Sequence, residues 1–267
     1  MDNLITGTEA KAADRYAIDI LKIPSLTLME RASRFVADAA LRFLSDAARA
    51  ASANQGQDAA PAASANQRRA AAPASVVILC GVGNNGADGV CAGKMLLAEG
   101  IRPKVLISGN LEKASWEFLR QLSEYKAAGG VPVFLHAPEE FRAQVPEADL
   151  LIDAAFGIGL KRPLEGIWRE LLKEADALDA YRIAVDVPSG INADTGEEMG
   201  ARIRADETIT FGRNKTGLAG GPSTAGTRPA GPQAAGTVRV CDIGIPEEAY
   251  IFAQKTCRQT EGGANGL

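Results

Sequence analysis

Several segments of the chain place carboxylates, amides and hydroxyls where an apolar run ends. The first, Cys80-Gly81-Val82-Gly83-Asn84-Asn85-Gly86-Ala87-Asp88-Gly89, follows Val76–Leu79 and precedes an amphipathic stretch. Its glycines permit a tight turn and close approach of backbone to ligand. A helix beginning there offers free N–H groups and a partial positive charge suited to phosphate. Gly81, Gly83 and Gly86 reproduce the spacing GxGxxG, a weak signal alone, and the Lys and Ser/Thr of a P-loop are missing. Asn84, Asn85 and Asp88 add donors and oxygen ligands at the same point, although either asparagine would equally serve as a helix cap.

A second apolar run ends in Asp153 and passes through Gly157, Ile158, Gly159 and Leu160 to Lys161, Arg162 and Pro163. Asp153 could hold a metal or accept a proton. The two cations could pair with phosphate oxygens, the arginine bidentately, or simply be solvated. A third run ends in Asp186, followed by Val187-Pro188-Ser189-Gly190, a sharp turn exposing a hydroxyl and carbonyls. Burial would raise the pKa of Asp186 and a nearby cation would lower it, so either protonation state remains open. A fourth segment, Ala205–Phe211 with Lys215, reads mainly as a closing strand, with Lys215 either neutralising a phosphate or lying in solvent.

Composition narrows the chemistry. A single histidine, His136, lies in no motif, and GxSxG is absent, so His-paired nucleophiles and zinc hydrolysis are disfavoured. The four cysteines form no CxxC pair, and Cys80 reads as a small buried hydrophobe. With 29 basic and 33 acidic residues and no long block of either sign, charge alone gives no reason to expect nucleic acid or anionic lipid as a partner. No basic, apolar leader opens the sequence, and no run approaches the ~20 apolar residues that span a bilayer. The chain is therefore expected in the cytoplasm, with no membrane association.

The elements that must carry these residues alternate. Strands are predicted at Val76–Leu79, Lys104–Ile107, Val131–Leu135, Leu150–Asp153, Arg182–Asp186, Glu207–Phe211 and Thr237–Cys241, several apolar on both faces as buried parallel strands are. Helices are predicted at Asp88–Glu99, Lys113–Ala128 and Glu165–Ala177, preceded by two within Thr8–Leu44 that Pro24 and Ser25 separate. This β-α alternation predicts a single-domain doubly wound α/β sandwich whose ligand lies beyond the carboxyl ends of the strands. Ala47–Ser75, containing Ala-Ser-Ala-Asn-Gln twice, is expected to be a mobile low-complexity insertion with helical extension at its start. Gly217–Gly236 reads as a surface loop or lid, and residues 258–267 as a frayed tail.

In this order GNNGADG, LLIDAAFGIGL, AVDVPSG with NADTG, and ADETITFGRNKTGL with DIGIP resemble the motifs of the NAD(P)H-hydrate epimerases, the YjeF amino-terminal domain family. The opening EAKAADRYAID and LMERASR resemble that family's two leading helices. The resemblance implies a Rossmann-like three-layer α/β/α sandwich with a mostly parallel sheet. It also implies interconversion of the R and S forms of NADH or NADPH hydrated at C6 of the nicotinamide ring. It places Asn84, Asn85, Gly86, Ala87 and Asp88 in one substrate loop and Gly157 to Pro163 in another. Asp186 then faces the ring, and one potassium ion lies at Asn85, Asp153 and Ser189. Two positions depart from the pattern: Ala87 stands for a usual glycine, narrowing the loop's conformations, and Ile158 for a usual threonine, removing a hydroxyl.

The chemistry is self-consistent. Asp186 would protonate the departing C6 hydroxyl, stabilise the planar iminium, and take the proton back when water adds. The resemblance also implies a partner, an ADP- or ATP-dependent hydrate dehydratase, either separate or fused beyond this chain. A homodimer is compatible with the sequence. Two rivals remain. A hydride-transferring dehydrogenase would need an acidic ribose ligand about 20 residues after the glycine turn, where the chain has Ser108 and Gly109. A non-catalytic nucleotide- or protein-binding scaffold would have no chemical need for Asn85, Asp153, Asp186 and Ser189 together.

Overall fold

The computed structural model describes residues 4–54, 74–219 and 234–264. Seven strands, β1 (Val76–Cys80), β2 (Lys104–Ser108), β3 (Val133–Leu135), β4 (Leu150–Ala154), β5 (Tyr181–Val185), β6 (Glu207–Phe211) and β7 (Thr237–Cys241), form one sheet in the order β3-β2-β1-β4-β5-β6-β7. Every pairing is parallel, as strands apolar on both faces require. The helices are α1 (Gly7–Arg15), α2 (Ser25–Asn54), α3 (Asn84–Ala98), α4 (Trp116–Ala127), α5 (Pro138–Gln144), α6 (Gly166–Asp176) and α7 (Glu247–Ala264).

The alternation of side chains along each strand divides the core in two. Ile78, Cys80, Ile107 and Ile152 pack with residues of α2, α3 and α4 on one face. Val77, Leu79, Leu106 and Leu151 pack with residues of α5 and α6 on the other. After β1 the chain moves outward to β2 and β3, then returns to β4 on the opposite side of β1. The turns leaving β1 and β4 diverge at this switch point and open a crevice beyond the strand ends. The first turn of α3 lies tight against the β1 exit. A Cβ at Gly86 would come 1.8 Å from the Gly81 carbonyl oxygen, so no larger residue fits there.

Four differences from the sequence reading have physical reasons. Helix α3 starts at Asn84 and not at Asp88, so Ala87 is a buried residue of the first helical turn and not part of a free loop. Ser115 caps α4 by accepting from the Phe118 amide at 3.2 Å, which delays that helix past Lys113. Two helices were not predicted: α5, which begins with Pro138 at its first position, and α7, which carries the chain through the expected frayed tail as far as Ala264. Helix α2 runs to Asn54, covering the start of the Ala-rich insertion, while 55–73 and most of the possible lid, 220–233, lie outside the described residues.

Helix α1 is held in place at its amino-terminal end and along its inner face. Thr6 and Glu9 form a reciprocal capping box, and the Gly7 amide donates to Asp194 Oδ1 at 2.5 Å. Asp194 is itself placed by Asn192, whose Oδ1 accepts from the Asp194 amide at 2.8 Å. On its inner face, Ala10 and Ala13 pack against Ala249, Tyr250 and Ala253 of α7. The NADTG segment thus fixes the helix that closes one side of the crevice.

Candidate active site

A cavity of about 680 Å³ occupies the switch-point crevice. The turn after β1 lines it with Asn84, Asn85 and Asp88, and the turn after β4 with Gly157, Ile158, Gly159 and Leu160. The ends of β5 and β6 supply Asp186, Arg213 and Lys215, α1 supplies Lys11 and Asp14, and α4 supplies Glu117. A volume within the ~300–1,000 Å³ usual for ligand pockets, with convergent polar groups, marks a small-molecule site.

Its floor is a closed polar knot. Lys215 Nζ lies 2.7 Å from Asp186 Oδ1 and donates to Thr210 Oγ1 and the Phe211 carbonyl, each at 2.9 Å. Thr210 Oγ1 in turn donates to Asp186 Oδ1 at 3.1 Å. Lys215 is 2% exposed and Asp186 8%. All three ammonium protons thus have acceptors, which a buried lysine requires. Asp186 Oδ1 is fully engaged, and Oδ2 accepts no hydrogen bond from the described residues. Asp186 adopts φ = +65°, a left-handed conformation that a non-glycine residue holds at a cost of order 1–3 kcal/mol. The bond from its amide to the Ile209 carbonyl (2.8 Å) helps impose that turn.

Gly157 brings two of the predicted segments together. A Cβ on it would sit 2.8 Å from Asn85 Oδ1 and 3.4 Å from Asp186 Oδ2, so both side chains close around a position that only glycine leaves open. Asn85 Nδ2 is buried and unpartnered among the described residues, as an amide reserved for a ligand would be. Asp153, near the end of β4, is fully buried and, like Ser189, lies outside the cavity lining. Its Oδ2 accepts from the Ser189 amide at 2.7 Å, and its Oδ1 accepts from Ser189 Oγ at 2.5 Å and the Ala155 amide at 3.3 Å. Ser189 Oγ also accepts from the Phe156 amide at 2.8 Å, tying the β4 and β5 exits together. Burial pushes the Asp153 pKa up to about 6 despite these donors.

The remaining predicted residues divide by position. Gly86 and Ala87 face the buried side of α3, whereas Lys161, Arg162 and Pro163 are exposed beyond the cavity. Lys161 lies 3.8 Å from Asp194, a distant surface pair. His136 is exposed, away from the cavity.

Three lining residues, Asp14, Lys11 and Glu117, escaped the sequence reading, and a fourth, Lys215, was weighed there only as a phosphate partner or a solvated cation. Lys215 is a buried partner of Asp186, not a solvated cation. Asp14 had no local signal, because it lies in the last turn of α1 beside ordinary charged and small residues. Burial pushes its pKa up to about 7, with Lys215 opposing and Asp186 adding. Lys11, one helical turn away, has its pKa lowered by burial and, less strongly, by the neighbouring Lys161 charge. Glu117 looked like an ordinary helix-start acid. Asp88, although foreseen, is more perturbed than its position suggested: burial, then Asp186, Asp14 and Glu117, hold it well above the usual carboxylate range.

A doubly wound parallel sheet with an ion-paired carboxylate at the floor of its switch-point crevice defines an α/β protein built to act on a small polar ligand. The chain belongs to the family described as YjeF-related protein N-terminus, whose model matches residues 25–217. A Limosilactobacillus fermentum protein named NAD(P)H-hydrate epimerase is 38% identical over 218 residues, covering 81% of this chain and 89% of its own length. One of the same name from Leuconostoc mesenteroides is 33% identical over 260 residues, covering 96% and 98%. The crystal structure of yeast ynu0 shares the fold at a TM-score of 0.61 and 20% identity, over 79% of this chain and 81% of that one.

Proposed function

We propose that this chain interconverts the R and S forms of hydrated NADH and NADPH. The observation that carries this reading is Asp186. Its free Oδ2 is aimed past Gly157 into a nucleotide-sized cavity, in a chain whose relatives bear the epimerase name. The ring nitrogen's lone pair can expel the C6 hydroxyl once that oxygen is protonated. A carboxylate held by Lys215 and Thr210 can then stabilise the iminium and receive the proton of the returning water. The backbone N–H groups opening α3 and the Lys11 rim suit the pyrophosphate. The scaffold alternative has no use for a strained, ion-paired aspartate at a cavity floor.

The donor set at Asn85, Asp153 and Ser189, an amide oxygen, a carboxylate and a hydroxyl, fits a potassium ion. It carries one negative charge, and among the described residues no cluster of three or more His, Cys, Asp or Glu could hold a more highly charged metal. Bound there, the ion would supply the countercharge that buried Asp153 lacks and fix the β1, β4 and β5 exits relative to one another. An ADP- or ATP-dependent dehydratase acting on one epimer is the partner we propose. Among the described residues no helix is long and apolar enough to cross a membrane. A cytoplasmic location is part of the same proposal.

Incubating the purified chain with each separated hydrate, with potassium or with a large organic cation in its place, tests the reading by chiral chromatography. Interconversion above the uncatalysed rate, faster with potassium, is expected. No acceleration of either hydrate under any cation would overturn the assignment. Two variants test the geometry. Gly157→Ala is expected to lower kcat about tenfold, since displacing reacting groups by a fraction of an ångström has that effect. Lys11→Ala is expected to raise KM about five- to tenfold with kcat little changed, the loss of one charge-assisted contact at a partly exposed rim. A kcat loss without a KM change in Lys11→Ala would remove that residue from phosphate binding.

A further inference from the structure

Epimerisation exchanges the faces of a planar ring, and a carboxyl group fixed on one side serves only that side. Water must leave one face and add to the other, so both faces need a group that gives or takes a proton. Asp186 Oδ1 is committed to Lys215 and Thr210, and only Oδ2 is free to reach a ligand. Asp14 reaches the same cavity from α1, a different wall from the strand end that carries Asp186. No hydrogen bond or ion pair from the described residues engages its carboxyl group. Its helix is anchored by the capping box and by Asp194, so the side chain is delivered by a fixed element and not by a loose loop.

From these placements we infer that Asp14 is a second catalytic acid/base, working on the ring face opposite Asp186. The inference rests on the epimerase reading. In one direction the Asp14 carboxyl proton passes to the C6 hydroxyl oxygen. The C6–O bond breaks with its electron pair leaving as water, and the N1 lone pair closes the iminium. A water on the other face then forms the new C6–O bond and yields one proton to Asp186 Oδ2. Asp14 ends ionised and Asp186 protonated. In the reverse direction the roles exchange, and transfer through solvent resets the pair with no net proton consumed.

The surroundings of Asp14 suit a group that must be found in both states near neutrality. Burial raises its pKa to about 7, and Asp186 adds to the effect against Lys215. The other charged or titratable groups around it are Asp88 of α3, Tyr250 of α7, and Lys11 and Arg15 of its own helix. Arg213 stacks on the Tyr250 ring at 4.3 Å and pairs with Glu247. Because the folded state holds the Asp14 proton more tightly than the unfolded chain does, this group stabilises the fold increasingly as pH falls from about 7 towards 4.

The test uses the full chain. Asp14→Asn is expected to slow interconversion at least 100-fold in both directions, with the affinity for intact NADPH within threefold of the parent. It should also lose part of the rise in melting temperature towards acid pH. Asp14→Glu should recover a measurable rate with a displaced pH profile. A folded Asp14→Asn protein keeping more than a third of the parent rate would overturn the inference while leaving the epimerase reading intact. Should Asp14→Asn not fold, the parent in ¹⁸O-water decides. Two-sided chemistry predicts close to one ¹⁸O gained per inversion, whereas exchange well in excess of inversion would mean a single face and would overturn it. A parent protein that interconverts neither hydrate removes the epimerase reading itself, and this inference with it.

Discussion

Asp186→Asn is expected to lower the rate of hydrate interconversion by about 10²–10⁴-fold, the range lost with a positioned acid or base. Asparagine is the informative replacement because it tolerates the left-handed backbone that Asp186 occupies at φ = +65°. It can also keep accepting from Thr210 and Lys215 through its amide oxygen. Alanine would relax the turn and confuse chemistry with geometry. What Asn removes is the negative charge facing the iminium and the ability to take a proton at the Oδ2 position. Circular dichroism should therefore remain that of the parent, with affinity for intact NADPH changed only a few-fold. Steady-state assays from both hydrates would check it, and a folded variant within tenfold of the parent would remove Asp186 from the reaction.

The sheet was legible because its strands are apolar on both faces and end at informative residues: six of the seven observed strands both begin and end within one residue of the predicted bounds, and the seventh, β3, matches at its end. Asp186 and Asn85, which line the cavity, were legible for the same reason, lying just past a strand and a glycine turn where α/β sheets bind ligands, whereas Asp153 is the penultimate residue of β4 and is buried outside the lining. Long-range pairing left no such mark. Nothing near Lys215 signals that Ile5 of the amino-terminal segment hydrogen-bonds across residues 214 and 216 and helps bury it. Asp14 was hidden likewise, since its burial depends on Tyr250, more than 200 residues away, closing over α1. The loop cations Lys161 and Arg162 are exposed outside the cavity lining, whereas Lys11, on a helix with no glycine-rich signature, lines it. Helix α7 was missed because its sequence, with a hydrophilic average and only a weak apolar stripe, resembles a tail until its partner α1 is known.

Lys215→Met is expected to destabilise the fold by about 3–5 kcal/mol, on the order of 10 °C in melting temperature for a chain of this size. Methionine keeps most of the apolar volume, so packing is not the cause. The cause is that Asp186 Oδ1 and Thr210 Oγ1 lose the cation that neutralises and orients them, inside a site where Lys215 is 2% exposed. An uncompensated buried carboxylate must then be protonated or hydrated, and either response opens the knot that joins the ends of β5 and β6. The double variant Asp186→Asn with Lys215→Met separates charge from packing. Removing both members of the pair leaves no buried charge, so its loss of stability should be smaller than the sum of the two single losses by more than 1 kcal/mol. Denaturant titration of all four proteins measures that coupling. Additive losses would mean that the 2.7 Å contact contributes no net stabilisation and that the ion pair is retained for catalysis alone.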